Sequence, residues 1–180
     1  MMDIVIEKKK IKNIIIRVED GVIKVSCPKY MTKDEIHGII NKNRENIEKL
    51  RIDSENKERY KNHLFGKKLP TDDEKEVEEI YRRELPKVLD DIFDKYFKMT
   101  GLGPCEYKIR KMKIRWGTCY PTRGLININL KVCERPIKQI EAVVLHEIIH
   151  LKYAYHDKTF ISECEKYMPD YRSVERELKC

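Results

Sequence analysis

Apolar residues first alternate with polar ones and then settle into helical spacing, and the changes of period divide the chain. Ile4 and Ile6 alternate with polar neighbours, as do Ile14, Ile16 and Val18, and an apolar run at 22–25 returns after Asp20-Gly21. Period two turns one face of a strand toward a core, and Asp-Gly between two such runs is a hairpin signal. Ile36, Ile39, Ile40, Ile47 and Leu50 then follow the spacing of one helix face. Thr32 and Glu35, three apart, form the capping box that opens this helix. Residues 51–62 are almost wholly polar and read as the frayed end of that helix or as a connection.

Thr71 and Glu74, just after Pro70, read as a second capping box. The helix they open carries Val77, Ile80, Leu85, Val88, Leu89, Ile92 and Phe93, with Pro86 expected to bend it. Gly101-Leu102-Gly103-Pro104 stops it. Two strands follow, at 107–116 and 125–130, joined by a turn at 121–124. In the first, Met112, Ile114 and Trp116 alternate with Lys113 and Arg115, which assigns the only tryptophan to a buried face. The second is a candidate edge for adding an extended peptide as a further strand. Pro136 opens a last helix with Ile137, Ile140, Val143, Val144, Ile148 and Leu151. Such a helix is apolar almost all round and belongs in a core. The reading is an α+β chain with a β-hairpin-plus-helix subdomain at 1–63 and a second domain at 64–180.

Composition narrows the picture only a little. A length of 180 residues suits one domain or one with a small appendage. Charged residues reach 38%, and 38 basic against 31 acidic residues leave a net charge of +7, a weak attraction to polyanions. Lys8, Lys9, Lys10 and Lys12 break up the early apolar segment, so no secretory signal is expected. No apolar run approaches the ~18 residues of a membrane span. Six cysteines without a C-x-x-C pair read as reduced thiols in a cytoplasmic protein.

The apolar last helix also carries His146, Glu147 and His150. Polar groups in such a helix need compensation, and a bound metal ion would provide it. Residues four apart share a helix face, so His146 and His150 can reach one ion. His146-Glu147-Ile148-Ile149-His150 is the H-E-x-x-H pattern of a zinc site with the glutamate as general base. Catalytic zinc takes three protein ligands and leaves a position for water. His156 is the preferred third ligand, with Glu163 and Glu165 as competitors. On a continuing helix His156 would face about 240° away from His150, so the helix must end near 152–154 and the chain turn back. Metzincin proteases share this histidine spacing but place Gly where Tyr153 stands, which counts against that group.

Tyr153, Tyr155, Tyr171 and Arg172 are candidate oxyanion donors, while His37 and His63 suit solvent-exposed roles. Asn129 is suited either to bonding a neighbouring strand or to orienting a ligand histidine. Lys108, Arg110, Lys111, Lys113 and Arg115 form a basic run, read first as a solvated face and second as a weak nucleic-acid contact.

The segment from Arg115 to Phe160 resembles the YgjP-like metallopeptidases, relatives of the SprT-type zincin proteases. The resemblance rests on Arg115-Trp116-Gly117-Thr118-Cys119, Ile128-Asn129, Pro136, His146 to His150, His156 and Phe160, with Pro169-Asp170-Tyr171 beyond. Thr118 replaces the usual Ser, and Ile161 stands where Trp often follows Phe. The resemblance implies a zincin-like core, with a small antiparallel sheet beside the motif helix and a backing helix. It also implies one zinc ion on His146, His150 and His156, and Glu147 as the base in peptide-bond hydrolysis. The expected function is therefore a zinc metallopeptidase, an endopeptidase acting on protein or peptide. The alternative is a non-catalytic module that binds nucleic acid or protein around a structural zinc.

Overall fold

A computed structural model describes residues 4–19 and 22–179, which group into two compact units meeting between Arg59 and Tyr60 in sequence. In the first unit, β3 (Val22–Pro28) is the central strand, with β1 (Ile4–Lys9) parallel on one side and β2 (Ile15–Glu19) antiparallel on the other. The Asp20-Gly21 turn itself lies outside the described residues. Alternation sends Ile23, Val25 and Cys27 into a core completed by Met31, Ile36, Ile40 and Ile47. Thr32 caps α1 (Lys33–Lys42), and Thr32 N donates back to Glu35 Oε2 at 2.8 Å, so the expected capping box is present. One helix was expected from here to Leu50, but two form, because Asn43 folds its side-chain amide onto the Ile39 carbonyl at 2.8 Å. Beyond that break, α2 (Arg44–Arg59) stays helical through most of the polar stretch.

The second unit opens with a short hairpin of β4 (His63–Leu64) and β5 (Lys67–Lys68), followed by the long helix α3 (Glu74–Thr100). Its cap is Asp73 rather than Thr71. The Asp73 carboxylate accepts from Lys75 N and Glu76 N at 2.9 Å each, while Thr71 only receives the Asp73 amide. A carboxylate at this position also meets the positive end of the helix dipole, which favours it over a hydroxyl two residues earlier. Pro86 is accommodated inside the helix, and Gly101 ends it at φ 68, a left-handed conformation suited to glycine.

The second sheet differs from expectation in three ways. The strand expected over 107–116 stops early, giving β6 (Glu106–Arg110), an irregular 111–116 and a separate β7 (Gly117–Tyr120). The strand β8 (Leu125–Asn129) is central, parallel to β6 and antiparallel to β7, so the sheet is mixed and β8 is no free edge. Asn129 explains the interruption. Its amide donates to the Met112 and Arg115 carbonyls at 2.9 and 2.8 Å, and its oxygen accepts from Met112 N and Lys131 N. These bonds pull 111–116 out of the ladder into a loop. Asn129 therefore bonds the segment expected as the neighbouring strand, the first of its two expected roles, and holds it as a loop.

The motif helix α4 (Ile137–Ile149) is packed by α3, β7, α5 (Lys158–Tyr167) and α6 (Tyr171–Lys179). Ile140, Val144, Leu145, Ile148 and Ile149 are fully buried beside Ile126 and Ile128 of the sheet and Leu85 and Leu89 of α3. The architecture is the expected α+β one, a sheet and a backing helix around a buried motif helix. Asp73→Ala should lower stability by about 1 kcal/mol in thermal unfolding and Thr71→Ala by clearly less. Equal losses would return the cap to Thr71.

Candidate metal centre

Helix α4 gives up its regular hydrogen bonding at His150, and the amides of Leu151, Lys152 and Tyr153 bond back to Ile148 and Ile149. This turn reverses the chain and brings His156 to the same side as His146 and His150. Asp157 then caps α5 by accepting from Phe160 N at 2.9 Å, which anchors the returning segment. The three Nε2 atoms form a nearly regular triangle with edges of 2.9, 3.0 and 3.1 Å. Nitrogens bound to one tetrahedral zinc ion at about 2.0–2.1 Å stand roughly 3.3 Å apart, so the triangle matches such an ion closely.

The outer nitrogen of His150 shows where that ring carries its proton. His150 Nδ1 donates to the Tyr153 carbonyl at 2.8 Å, which leaves its Nε2 with a bare lone pair facing the triangle. Burial holds the His150 imidazole below its ordinary range, the bond to the Tyr153 carbonyl opposes that, and the nearby His156 adds to it. His146 Nδ1 lies 2.6 Å from the Tyr171 hydroxyl. Beneath the triangle is the fully buried Phe160 ring, with its centroid 4.9, 4.6 and 5.0 Å from those of His146, His150 and His156. Among the described residues these three histidines are the group able to hold a metal ion.

Glu147 sits 6% exposed beside the triad, with its carboxylate against the backbone of Gly117. A Cβ at Gly117 would lie 2.6 Å from both Cγ and Oε1 of Glu147, so only glycine lets the strand pass this close. Burial pushes the Glu147 carboxyl up to about 8, and the Arg115 cation opposes that rise. Both residues line a cleft of about 830 Å³ that holds the triad and is walled by Ile114, Trp116, Val143, Tyr171 and Leu178.

Over residues 49–180 the sequence matches the family described as YgjP-like, metallopeptidase domain. The chain belongs to the YgjP-like family. Membership makes it a metal-dependent peptidase, a hydrolase of proteins or peptides. Two solved structures are similar in part. One is the metallopeptidase zymogen of Pyrococcus abyssi abylysin, at 23% identity over 49% of this chain and 90% of that chain, with a TM-score of 0.46. The other is the metallopeptidase zymogen of Methanocaldococcus jannaschii jannalysin, at 20% identity over 49% of this chain and 85% of that one, with a TM-score of 0.44. No curated protein matches the chain. Among the described residues of this YgjP-like chain, no helix is long and apolar enough to cross a membrane.

Of the other residues singled out by the sequence, Tyr171 and the Tyr153 carbonyl touch the triad and the rest do not join it. Glu163 pairs with Lys166 and Glu165 with Arg172, so neither carboxylate joins the metal group. Tyr155 is 80% exposed, and Tyr171 is engaged by His146. His37 is exposed, whereas His63 is half-buried with its ring edge-on to Tyr60. The basic run forms no strand-borne cationic face. Lys108 pairs with Glu106 and Lys111 with Glu78, and 111–115 belong to the loop, so nothing supports a nucleic-acid contact.

Trp116 is half-buried off the strand rather than on its inner face. Its indole N–H donates to the Leu178 carbonyl at 3.1 Å, and its ring covers the buried Arg135 guanidinium at 4.9 Å, with Tyr60 at 4.8 Å. Sequence reasoning missed Arg135 and the glycine under Glu147. Gly117 stood in a quoted motif, but the carboxylate it must clear lies thirty positions along the chain.

Two outcomes are expected. Gly117→Ala should displace the Glu147 carboxylate and lower peptidase activity about 100-fold with metal content unchanged; full activity would show that the contact is dispensable. In the metal-free protein, the Glu147 pKa near 8 lies above the unfolded 4.5. Between these values the unfolded chain has lost a proton that the folded chain keeps, so stability falls as pH rises through this window. Urea unfolding at about pH 5 and pH 8 should show the wild type losing a few kcal/mol more than Glu147→Gln. Equal losses would mean that burial does not perturb this carboxyl.

Proposed function

We propose that the chain is a zinc endopeptidase in which His146, His150 and His156 hold one ion and Glu147 is the general base. The observation that carries this reading is the Nε2 triangle, set in a cleft beside a buried carboxylate. Three acceptor nitrogens about 3 Å apart repel one another unless a cation lies between them. When bound, zinc supplies a Lewis acid and a water whose pKa is lowered to about 7.

The chain's own residues do the rest. A positive charge at the triad favours the ionised form of Glu147, the state a base requires. Its carboxylate takes the proton of the attacking water and hands it to the departing amine. The cleft of about 830 Å³ is larger than a single residue fills, which supports an extended peptide lying across the site and cleavage at internal bonds. Among the described residues the triad has no fourth protein ligand, whereas a structural zinc site is closed. A reducing cytoplasmic setting accords with the free thiols at Cys27, Cys105, Cys119, Cys133 and Cys164.

Glu147→Gln should retain one zinc per chain while lowering peptide hydrolysis 100- to 10,000-fold. Alanine at any of the three histidines should lose both metal and activity. Metal analysis beside cleavage of an unstructured protein checks both, and undiminished turnover in zinc-loaded Glu147→Gln would overturn the assignment.

A further inference from the structure

We propose that the end of the cleft beside the first half of α4 is a side-chain subsite, which selects substrates carrying a large apolar residue next to the cleaved bond. This rests on the peptidase reading above and adds to it the class of sequence cleaved. The lining changes character along α4. Ala142 and Val143 stand four residues before His146 and Glu147, and all four line the cleft. The apolar pair therefore shares the face of the metal motif and lies one turn, about 5.4 Å, nearer the start of the helix.

Two hydrogen bonds place the other walls at that same end. Gln139, in the first turn of α4, donates to Glu177 at 2.9 Å and draws the last turn of α6 alongside. Leu178 comes next, and its carbonyl accepts the Trp116 indole N–H at 3.1 Å. Trp116 and Leu178 thus meet near Ala142 and Val143, joining the loop wall of the cleft to the helical one.

What these walls offer a ligand is hydrocarbon. Ala142, Val143 and Leu178 are buried, and Gly117 adds no side chain. The indole has spent its one polar atom on Leu178, and the Thr118 hydroxyl is engaged by the Asn127 amide at 3.3 Å. Apart from Glu147 and the triad, the charged lining residues are Arg115 and Glu175, the first exposed and the second half-buried, so water still reaches them. Ile114 also lines the cleft, yet it is 93% exposed. Its loop is pinned on either side by Asn129, at the carbonyls of Met112 and Arg115. An apolar side chain seated against Trp116 covers Ile114 as well and removes both from water. A charged side chain there loses its hydration and finds no partner in the wall.

The test uses the full chain. Mass spectrometry of the products that the zinc-loaded protein forms from mixed-sequence peptides should place a large apolar residue at one fixed position beside the cleaved bond. With leucine there, kcat/KM should be about 10- to 100-fold above the serine counterpart. Ile114→Asp, at a position exposed to water, should cut that preference about 10-fold. Without any cleavage, the emission of Trp116, the only tryptophan, reports binding to the metal-free protein. A peptide with a central leucine should bind about 10-fold more tightly than the same peptide with serine, and Ile114→Asp should narrow the difference. Cleavage indifferent to the neighbouring side chain, or equal affinity of the two peptides for the metal-free chain, overturns the proposal. Selective binding of the leucine peptide with no peptide cleaved upholds the subsite and overturns the peptidase reading.

Discussion

Three imidazole nitrogens brought within about 3 Å of one another, each needing its lone pair turned inward, is the constraint on which this structure depends. Such an arrangement is unfavourable in the protein alone, because three electron-rich centres face one another in a site half-screened from water. It persists because each ring is held from outside. A helix end supplies the Tyr153 carbonyl, a following helix supplies the Tyr171 hydroxyl, and an aromatic ring packs under all three. Folding energy from the apolar surroundings of α4 is thus spent on holding charge-hungry groups in a geometry that a cation relieves.

The same helix places Glu147 where solvation is poor, and the sheet makes room for it by a single missing side chain. Gly117 begins β7 and passes directly against the carboxylate. Just before it, the 111–116 loop is held by Asn129 and Trp116 is clamped over Arg135, so the approach of the strand to Glu147 is fixed from two directions. The wall of the cleft and the position of the carboxylate are therefore one structural problem solved by one segment.

Much of this was legible in the sequence because its determinants are local. The Thr32–Glu35 box, the Asp-Gly strand pairing around β2 and β3, the stop at Gly101 and the buried stripe of α4 all depend on residues within a few positions of one another. The two motif histidines are four apart, and the turn needed to recruit His156 follows from helix geometry. What escaped was set by competition or by distance. Thr71 satisfied the capping pattern, but Asp73 offered a stronger acceptor closer to the helix. Alternation at 112–116 imitated a strand, yet Asn129, more than a dozen residues away, draws those carbonyls into a loop and leaves Ile114 93% exposed. The order β6-β8-β7, which makes β8 central, was likewise invisible to periodicity.

Phe160 packs under the triad, its fully buried ring against all three histidines. An ion seated there is covered from below and open toward the cleft, the side from which the proposed substrate would arrive. Loading and release of the ion therefore compete with occupancy of the groove, and a chain lying across it acts as a stopper. Chelators should strip the resting protein faster than one engaged with its target.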